Sequence, residues 1–306
     1  MLAILGALAP VFVLIVFGYG LRRGGFPGDG FWPPLERLIF FVLFPALLID
    51  SLATAELGAL DVGPLAAALI AAVLAVAGLV MALRPLLKVD GPAFASIFMG
   101  ATRFNTYVGI GAAGALYGAA GLTVAALAIA VLVPLVNVLS VLVLVAVAPQ
   151  IDGGGRWSRA LWETLRNPLI LGSAAGIALN VLGLGLPPGI DDVVHALGAA
   201  ALPMGLLAVG AGLDLGSIRG AAGALTWTTV LKLGVMPAAM IAACAVFGVT
   251  GLSAKIAILF AALPGASTAY IIARQMGGDA PLMANIITVT TVAAAATMPG
   301  FLIVFG

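Results

Sequence analysis

Long apolar runs, separated by short clusters of charged, glycine and proline residues, dominate this sequence. The runs are continuous rather than alternating, which favours membrane helices of about 20 residues over the strands of a β-barrel. Cutting the chain at the polar clusters predicts ten spans: 3–21, 35–55, 63–83, 92–117, 121–147, 168–186, 193–213, 220–248, 252–275 and 282–304. The predicted fold class is an all-α polytopic membrane protein with ten transmembrane helices.

Composition supports this class and excludes several others. Of the 306 residues, 63% are hydrophobic and only 8% are charged, whereas soluble domains average about 25% charged residues. The net charge of +1 provides no basic surface for nucleic acid, and Cys244 has no partner for an internal disulfide. The lipid bilayer is therefore the expected environment.

The basic residues predict the orientation of the chain. Ten of the 13 Lys and Arg residues fall in the odd-numbered connections between spans, and the even-numbered connections carry only Lys255. The positive-inside rule places the odd loops in the cytoplasm and both termini outside it.

An internal repeat is indicated by residues that recur at a fixed separation. Three non-glycine pairs are 158 positions apart: Pro10 with Pro168, Pro45 with Pro203, and Glu56 with Asp214. Duplication is favoured over chance matching, and it predicts five-helix repeats at 1–148 and 168–306 joined by a cytoplasmic linker at 149–167. Because each repeat has an odd number of spans, the second copy enters the membrane inverted, as is typical of secondary transporters.

Spans 4 and 9 carry the residues that suggest a binding site. Arg103 and Asn105 lie about 20 Å along span 4, near the middle of the membrane. Pro264 and Gly265 reach a similar depth in span 9 from the opposite side and predict an interrupted helix. Interrupted helices expose unpaired N–H groups, which favour an anion, and a membrane-embedded arginine usually faces a cavity.

Other polar residues in the spans allow more than one interpretation. Asp50 and Lys232 could balance charge or relay a proton, or Asp50 could form a structural ion pair with Arg103 or Lys232. Asn137, Asn180 and Asn285 are interpreted as helix–helix hydrogen bonders rather than as ligands.

No catalytic constellation or metal site is predicted. Asp191, Asp192 and His195 fit a solvated helix start better than a metal cluster. The sequence has no nucleophilic triad at membrane depth and no Walker glycine loop, so an enzyme is not expected.

Several short motifs, taken in order along the chain, resemble the auxin efflux carrier family, which includes PIN-type auxin exporters and bacterial carriers of malonate and similar acids. The motifs are Phe44–Leu48, Asn105-Thr106, Leu116–Gly118, Arg166–Pro168, Leu263–Gly265, Thr288–Thr291 and Pro299.

The resemblance implies a 5+5 inverted repeat with broken, crossing helices 4 and 9, and a scaffold that supports a moving transport unit. Asn105 matches the family's substrate-contacting asparagine, and Pro264 matches the crossover proline of helix 9. PIN-type proteins have proline before this asparagine, whereas Phe104 stands here. We therefore expect packing and Gly109 and Gly111 to produce the break in helix 4.

The leading hypothesis is a secondary transporter of small organic anions that works by alternating access in a bacterial inner membrane. Its expected substrate-binding residues are Asn105, Arg103, Thr106, Pro264, Gly265, Ser267 and Thr268. No cofactor is expected beyond a coupling ion, H⁺ or Na⁺. The sequence leaves open whether the protein forms a homodimer. The alternatives are a sodium-coupled transporter similar to bile-acid symporters, a channel, an intramembrane enzyme, and an anion sensor.

Overall fold

The computed structural model describes residues 2–28, 30–55, 61–147, 166–214 and 222–305, and these residues form helices and connections without a strand. The helices lie where the apolar runs predict them. They are α1 (Leu2–Arg23), α2 (Trp32–Leu38), α3 (Phe44–Ala53), α4 (Val62–Leu87), α5 (Gly91–Thr102), α6 (Thr106–Val147), α7 (Pro168–Val181), α8 (Ile190–Ala211), α9 (Ala222–Val230), α10 (Met236–Val246), α11 (Gly251–Ala261), α12 (Thr268–Met276) and α13 (Ala280–Phe305).

Six helical stretches of the described chain are long and apolar enough to cross a membrane. They are Gly6–Arg23, Val62–Leu87, Gly91–Val147, Ile190–Ala211, Ala222–Val246 and Ala280–Phe305. Pro168–Val181 and Gly251–Ala261 are shorter apolar helices. The protein is therefore an integral membrane protein, and helices are its only regular secondary structure in the described ranges.

The chain divides into two compact units that interleave along the sequence. The first unit comprises Met1–Val62, Tyr107–Ala130 and Leu165–Gly212, and the second comprises Gly63–Thr106, Val131–Thr164 and Leu213–Gly306. Each unit takes residues from both predicted repeats. Most of the predicted linker, residues 149–165, lies outside the described residues, and so does Glu56 of the repeat pairs.

Close helix contacts at glycines organise the first unit. Gly18 of α1 packs against the backbone of Leu207, and Gly210 of α8 packs against the backbone of Ile15. A side chain at either glycine would occupy the space of the neighbouring backbone. Small residues therefore allow α1 and α8 to approach closely, as is common between membrane helices.

Asn180 of α7 forms hydrogen bonds with the end of α3 in the first unit. Its amide nitrogen Nδ2 donates to the carbonyl oxygens of Leu52, Ala53 and Ala55, at distances of 3.0, 3.2 and 2.7 Å. These carbonyls lie at the C-terminal end of α3, where the helix itself offers no donors. Asn180 is thus the helix–helix hydrogen bonder that the sequence predicts.

Helix packing in the second unit also depends on a glycine. A Cβ atom at Gly100 of α5 would lie 2.6 Å from Ile286 Cγ2 on α13 and 2.7 Å from Thr228 Cγ2 on α9. Larger residues at this position would force the three helices apart.

Two helices of the second unit are interrupted. Helix α5 ends at Thr102 and α6 begins at Thr106, and residues 262–267 separate α11 from α12. The expected role of Gly109 and Gly111 in the first interruption is wrong, because both residues lie within α6. Gly118, with φ 59° and ψ −146°, interrupts α6 further on, near the boundary predicted between spans 4 and 5.

Two π-helical turns were not expected from the sequence. One, Ile39–Leu43, joins α2 to α3, and the other, Leu231–Val235, joins α9 to α10. Such turns insert an extra residue into a helix, and apolar periodicity alone gives no signal for them.

Candidate functional site

The two interrupted segments meet in the second unit. The backbone N–H of Asn105 donates to the carbonyl oxygen of Pro264 at 2.9 Å, and Nδ2 of Asn105 donates to Oγ of Ser267 at 3.2 Å. Asn105 is buried, with 2% of its surface exposed. The asparagine of the first break is therefore bonded to both the backbone and a side chain of the second.

The first break starts at Arg103. Its backbone is extended, with φ −82° and ψ 154°, although its N–H still donates to the carbonyl of Met99 at 2.9 Å. Phe104 packs edge-on against Phe260, with ring centroids 5.6 Å apart. Buried aromatic packing therefore stabilises the non-helical segment, in line with the expected contribution of packing.

The second break is stabilised by a threonine from another helix. Pro264 has no N–H and interrupts the helical ladder. The next N–H, that of Gly265, donates to Oγ1 of Thr290 on α13 at 3.0 Å. Thr290 therefore satisfies a buried backbone donor that the interruption would otherwise leave unpaired.

Arg103 extends from the first break into a ring of uncharged oxygen atoms. Its Nη1 donates to Oδ1 of Asn137 at 2.7 Å and to Oγ of Ser140 at 3.3 Å, and Nη2 donates to Oγ1 of Thr268 at 3.4 Å. The guanidinium Nε is buried and has no hydrogen-bond partner among the described residues. The residue is 6% exposed.

The electrostatic consequence is a buried positive charge without a counter-charge in the described chain. No carboxylate of the described residues lies within 4.0 Å of the Arg103 guanidinium. A guanidinium stays protonated under all ordinary conditions. The amino-terminal end of α12, which begins at Thr268, adds its partial positive charge. This arrangement can bind an anion.

The seven predicted substrate-binding residues all fall in the second unit. The hydrogen bonds given above join Arg103 to Thr268, and they join Asn105 to Pro264 and Ser267. Gly265 is anchored by Thr290, and Thr106 is the first residue of α6.

The two predicted charge-balancing residues lie in different units. In the first unit, Oδ2 of Asp50 is 2.9 Å from Nδ1 of His195, whose side chain is 74% exposed. Lys232 is buried in the second unit, in the π-helical turn between α9 and α10. Lys232 therefore shares a unit with the candidate site.

The roles of three residues in the site were not predicted from the sequence. Ser140 was not singled out, because an isolated hydroxyl in an apolar helix usually bonds to its own helix. Thr290 was named only within the motif Thr288–Thr291, without a role in the site. Asn137 was expected to bond between helices, and its partner is Arg103. The spacing of Asn137 and Ser140, three residues apart on one helix face, is the signal that could have identified them.

Comparisons with known proteins identify the class of this chain. Residues 157–302 match the family described as "Membrane transport protein". A protein of Methanothermobacter thermautotrophicus named "Uncharacterized transporter" is 24% identical over 292 residues, which cover 94% of each chain. A "Putative malonate transporter" of Rhizobium meliloti is 28% identical over 137 residues, or 44% of this chain and 43% of the relative.

The protein is therefore an integral membrane transporter with a small-molecule substrate, and not an enzyme. The resemblance to the auxin efflux carrier family, predicted from the sequence motifs, is confirmed.

Proposed function

We propose that the protein is a carrier of small organic anions such as carboxylic acids and that it works by alternating access. The proposal depends most on Arg103, a buried guanidinium whose described partners are all uncharged. Burying an unpaired charge is costly, so a site of this kind gains stability when an anion enters. A bound carboxylate supplies the missing negative charge.

The neighbouring groups suit a carboxylate. Nε of Arg103 has no hydrogen-bond acceptor among the residues that the structure describes, and Ser267 and Thr268 contribute hydroxyl groups at the start of α12. Charge-assisted hydrogen bonds from a guanidinium to a carboxylate are among the strongest in proteins. The name of the Rhizobium meliloti relative, which refers to malonate, supports an acid of small size.

The proposal includes the finer architecture implied by the family resemblance. Ten transmembrane helices form two inverted five-helix repeats, with both termini outside the cytoplasm of a bacterial cell. The interrupted segments at 103–105 and 262–267 are the crossing points of helices 4 and 9. Substrate binds there and becomes accessible from one side of the membrane at a time.

A thermal-shift screen of purified protein against mono- and dicarboxylates tests the anion site. The wild-type melting temperature should rise with the best acid, because a ligand that binds only the folded state stabilises it. Arg103→Met and Asn105→Ala should lose this rise, while the control Arg37→Met, at an exposed position of α2, should keep it. If both site variants bind the acid as tightly as the wild type, the site is misplaced.

A further inference from the structure

Lys232 is a second buried cation that the anion site as described does not use. It is 1% exposed and lies in the π-helical turn Leu231–Val235. Within the described residues, no hydrogen bond or ion pair joins its ammonium group to another side chain. π-helical turns inside helices are frequent at functional sites.

Helix contacts relate Lys232 to Arg103. Gly100 of α5 packs directly on Thr228 of α9, where an added Cβ would lie 2.7 Å from Thr228 Cγ2. In the proposed topology both helices start on the cytoplasmic side. Arg103 follows Gly100 by three residues and Lys232 follows Thr228 by four, so the backbones of the two residues lie at a similar depth in the second unit.

The segments packed against the π-helical turn offer little that could neutralise a charge on Lys232. These segments are α5, α9, α10 and α13. Among their described residues, Cys244 of α10 is the titratable group, and Arg103 directly follows α5. The described carboxylates of the second unit are Asp90, Asp214 and Asp279. Asp90 and Asp279 precede the first turns of α5 and α13, and the N–H of Asp214 donates to Oγ1 of Thr288 on α13 at 3.1 Å. None of the three forms an ion pair with Lys232 within 4.0 Å. Burying an ammonium group without a counter-charge carries a large desolvation cost.

We propose that Lys232 is a neutral amine in the empty carrier and takes up a proton from solution when a dicarboxylate binds at Arg103. This inference rests on the proposed function and assigns its coupling ion. The proton adds to the lone pair of Nζ and forms an ammonium ion. The two negative charges of the substrate are then matched by one charge on Arg103 and one on Lys232. Anion and proton consequently move together.

Proton uptake on binding can be measured directly by calorimetric titration with malonate in buffers of different ionisation enthalpy. The wild type should take up about one proton per malonate bound at neutral pH. Lys232→Arg, whose guanidinium is always charged, should bind malonate without proton uptake. Lys232→Met should bind at least about tenfold more weakly, also without uptake. The control Lys255→Met, at the start of α11, should retain the wild-type uptake.

The possible outcomes separate this inference from the function on which it rests. Malonate binding by the wild type without proton uptake would overturn the role of Lys232 and leave the anion site intact. Unchanged uptake in a folded Lys232→Arg variant, as judged by its melting temperature, would also overturn it, because the proton would then bind elsewhere. Absence of binding by the wild type to malonate and every other acid tested would overturn both proposals.

Discussion

Arg103 owes its orientation to two uncharged side chains of one helix face. Asn137 and Ser140 accept hydrogen bonds from the same guanidinium nitrogen, at 2.7 and 3.3 Å. An acidic residue at either position would neutralise the arginine permanently. The uncharged pair instead fixes the guanidinium while its charge stays available to a ligand, so we interpret Asn137 and Ser140 as positioning residues.

The Asn137→Asp variant tests this interpretation. Its carboxylate would replace the amide oxygen beside Arg103 and compete with the substrate for the same charge. Malonate affinity should fall at least about tenfold, or about 1.4 kcal/mol. The melting temperature of the empty protein should stay level or rise, because the buried charge gains a partner.

Asn137→Ala serves as the matched variant. It removes the same hydrogen bond without supplying a negative charge, so it should lower the melting temperature and retain more of the malonate affinity than Asn137→Asp. Wild-type affinity in Asn137→Asp would show that Arg103 is not the group that receives the anion.

The interruption between α11 and α12 depends on a neighbouring helix for its stability. Thr290 Oγ1 accepts from Gly265 N–H and donates to the carbonyl of Ile286 at 2.7 Å. Thr291, one residue further on, donates to the carbonyl of Ile287 at 2.7 Å within its own helix. Two adjacent buried threonines of α13 therefore differ in whether they support the break.

Replacing each threonine by valine should separate these roles. Thr290→Val leaves the Gly265 N–H buried without an acceptor, which costs about 1–3 kcal/mol. Thr291→Val removes only a hydroxyl bond to its own helix and should cost less. The thermal unfolding of both variants in the same detergent measures the difference. Equal melting temperatures for the two variants would contradict the role given to Thr290.

At the scale of the whole molecule, the sequence predicts the helices and the breaks better than the contacts between them. Continuous apolar runs determine the helical segments, and Pro264 marks one break directly, because proline cannot complete the helical hydrogen-bond ladder. Arg103 and Asn105 stand out because polar residues are rare at membrane depth. These signals are local, so they can be recognised without knowledge of the fold.

The contacts that complete the site depend on packing between distant segments. The bond from Gly265 to Thr290 joins residues 25 positions apart, and the bond from Arg103 to Asn137 joins residues 34 positions apart. Hydrophobic periodicity does not indicate which hydroxyl group forms a hydrogen bond with which amide group. For the same reason, the contact between Asp50 and His195, 145 positions apart, was not predicted.

The central claim, that a buried arginine in the second unit receives an organic anion for transport, is tested most directly by equilibrium counterflow in proteoliposomes. Vesicles loaded with unlabelled malonate should transiently accumulate labelled malonate through the wild type and through Arg37→Met, but not through Arg103→Met. Wild-type counterflow by a folded Arg103→Met variant, or no counterflow by the wild type with any of a panel of mono- and dicarboxylates, would contradict the claim.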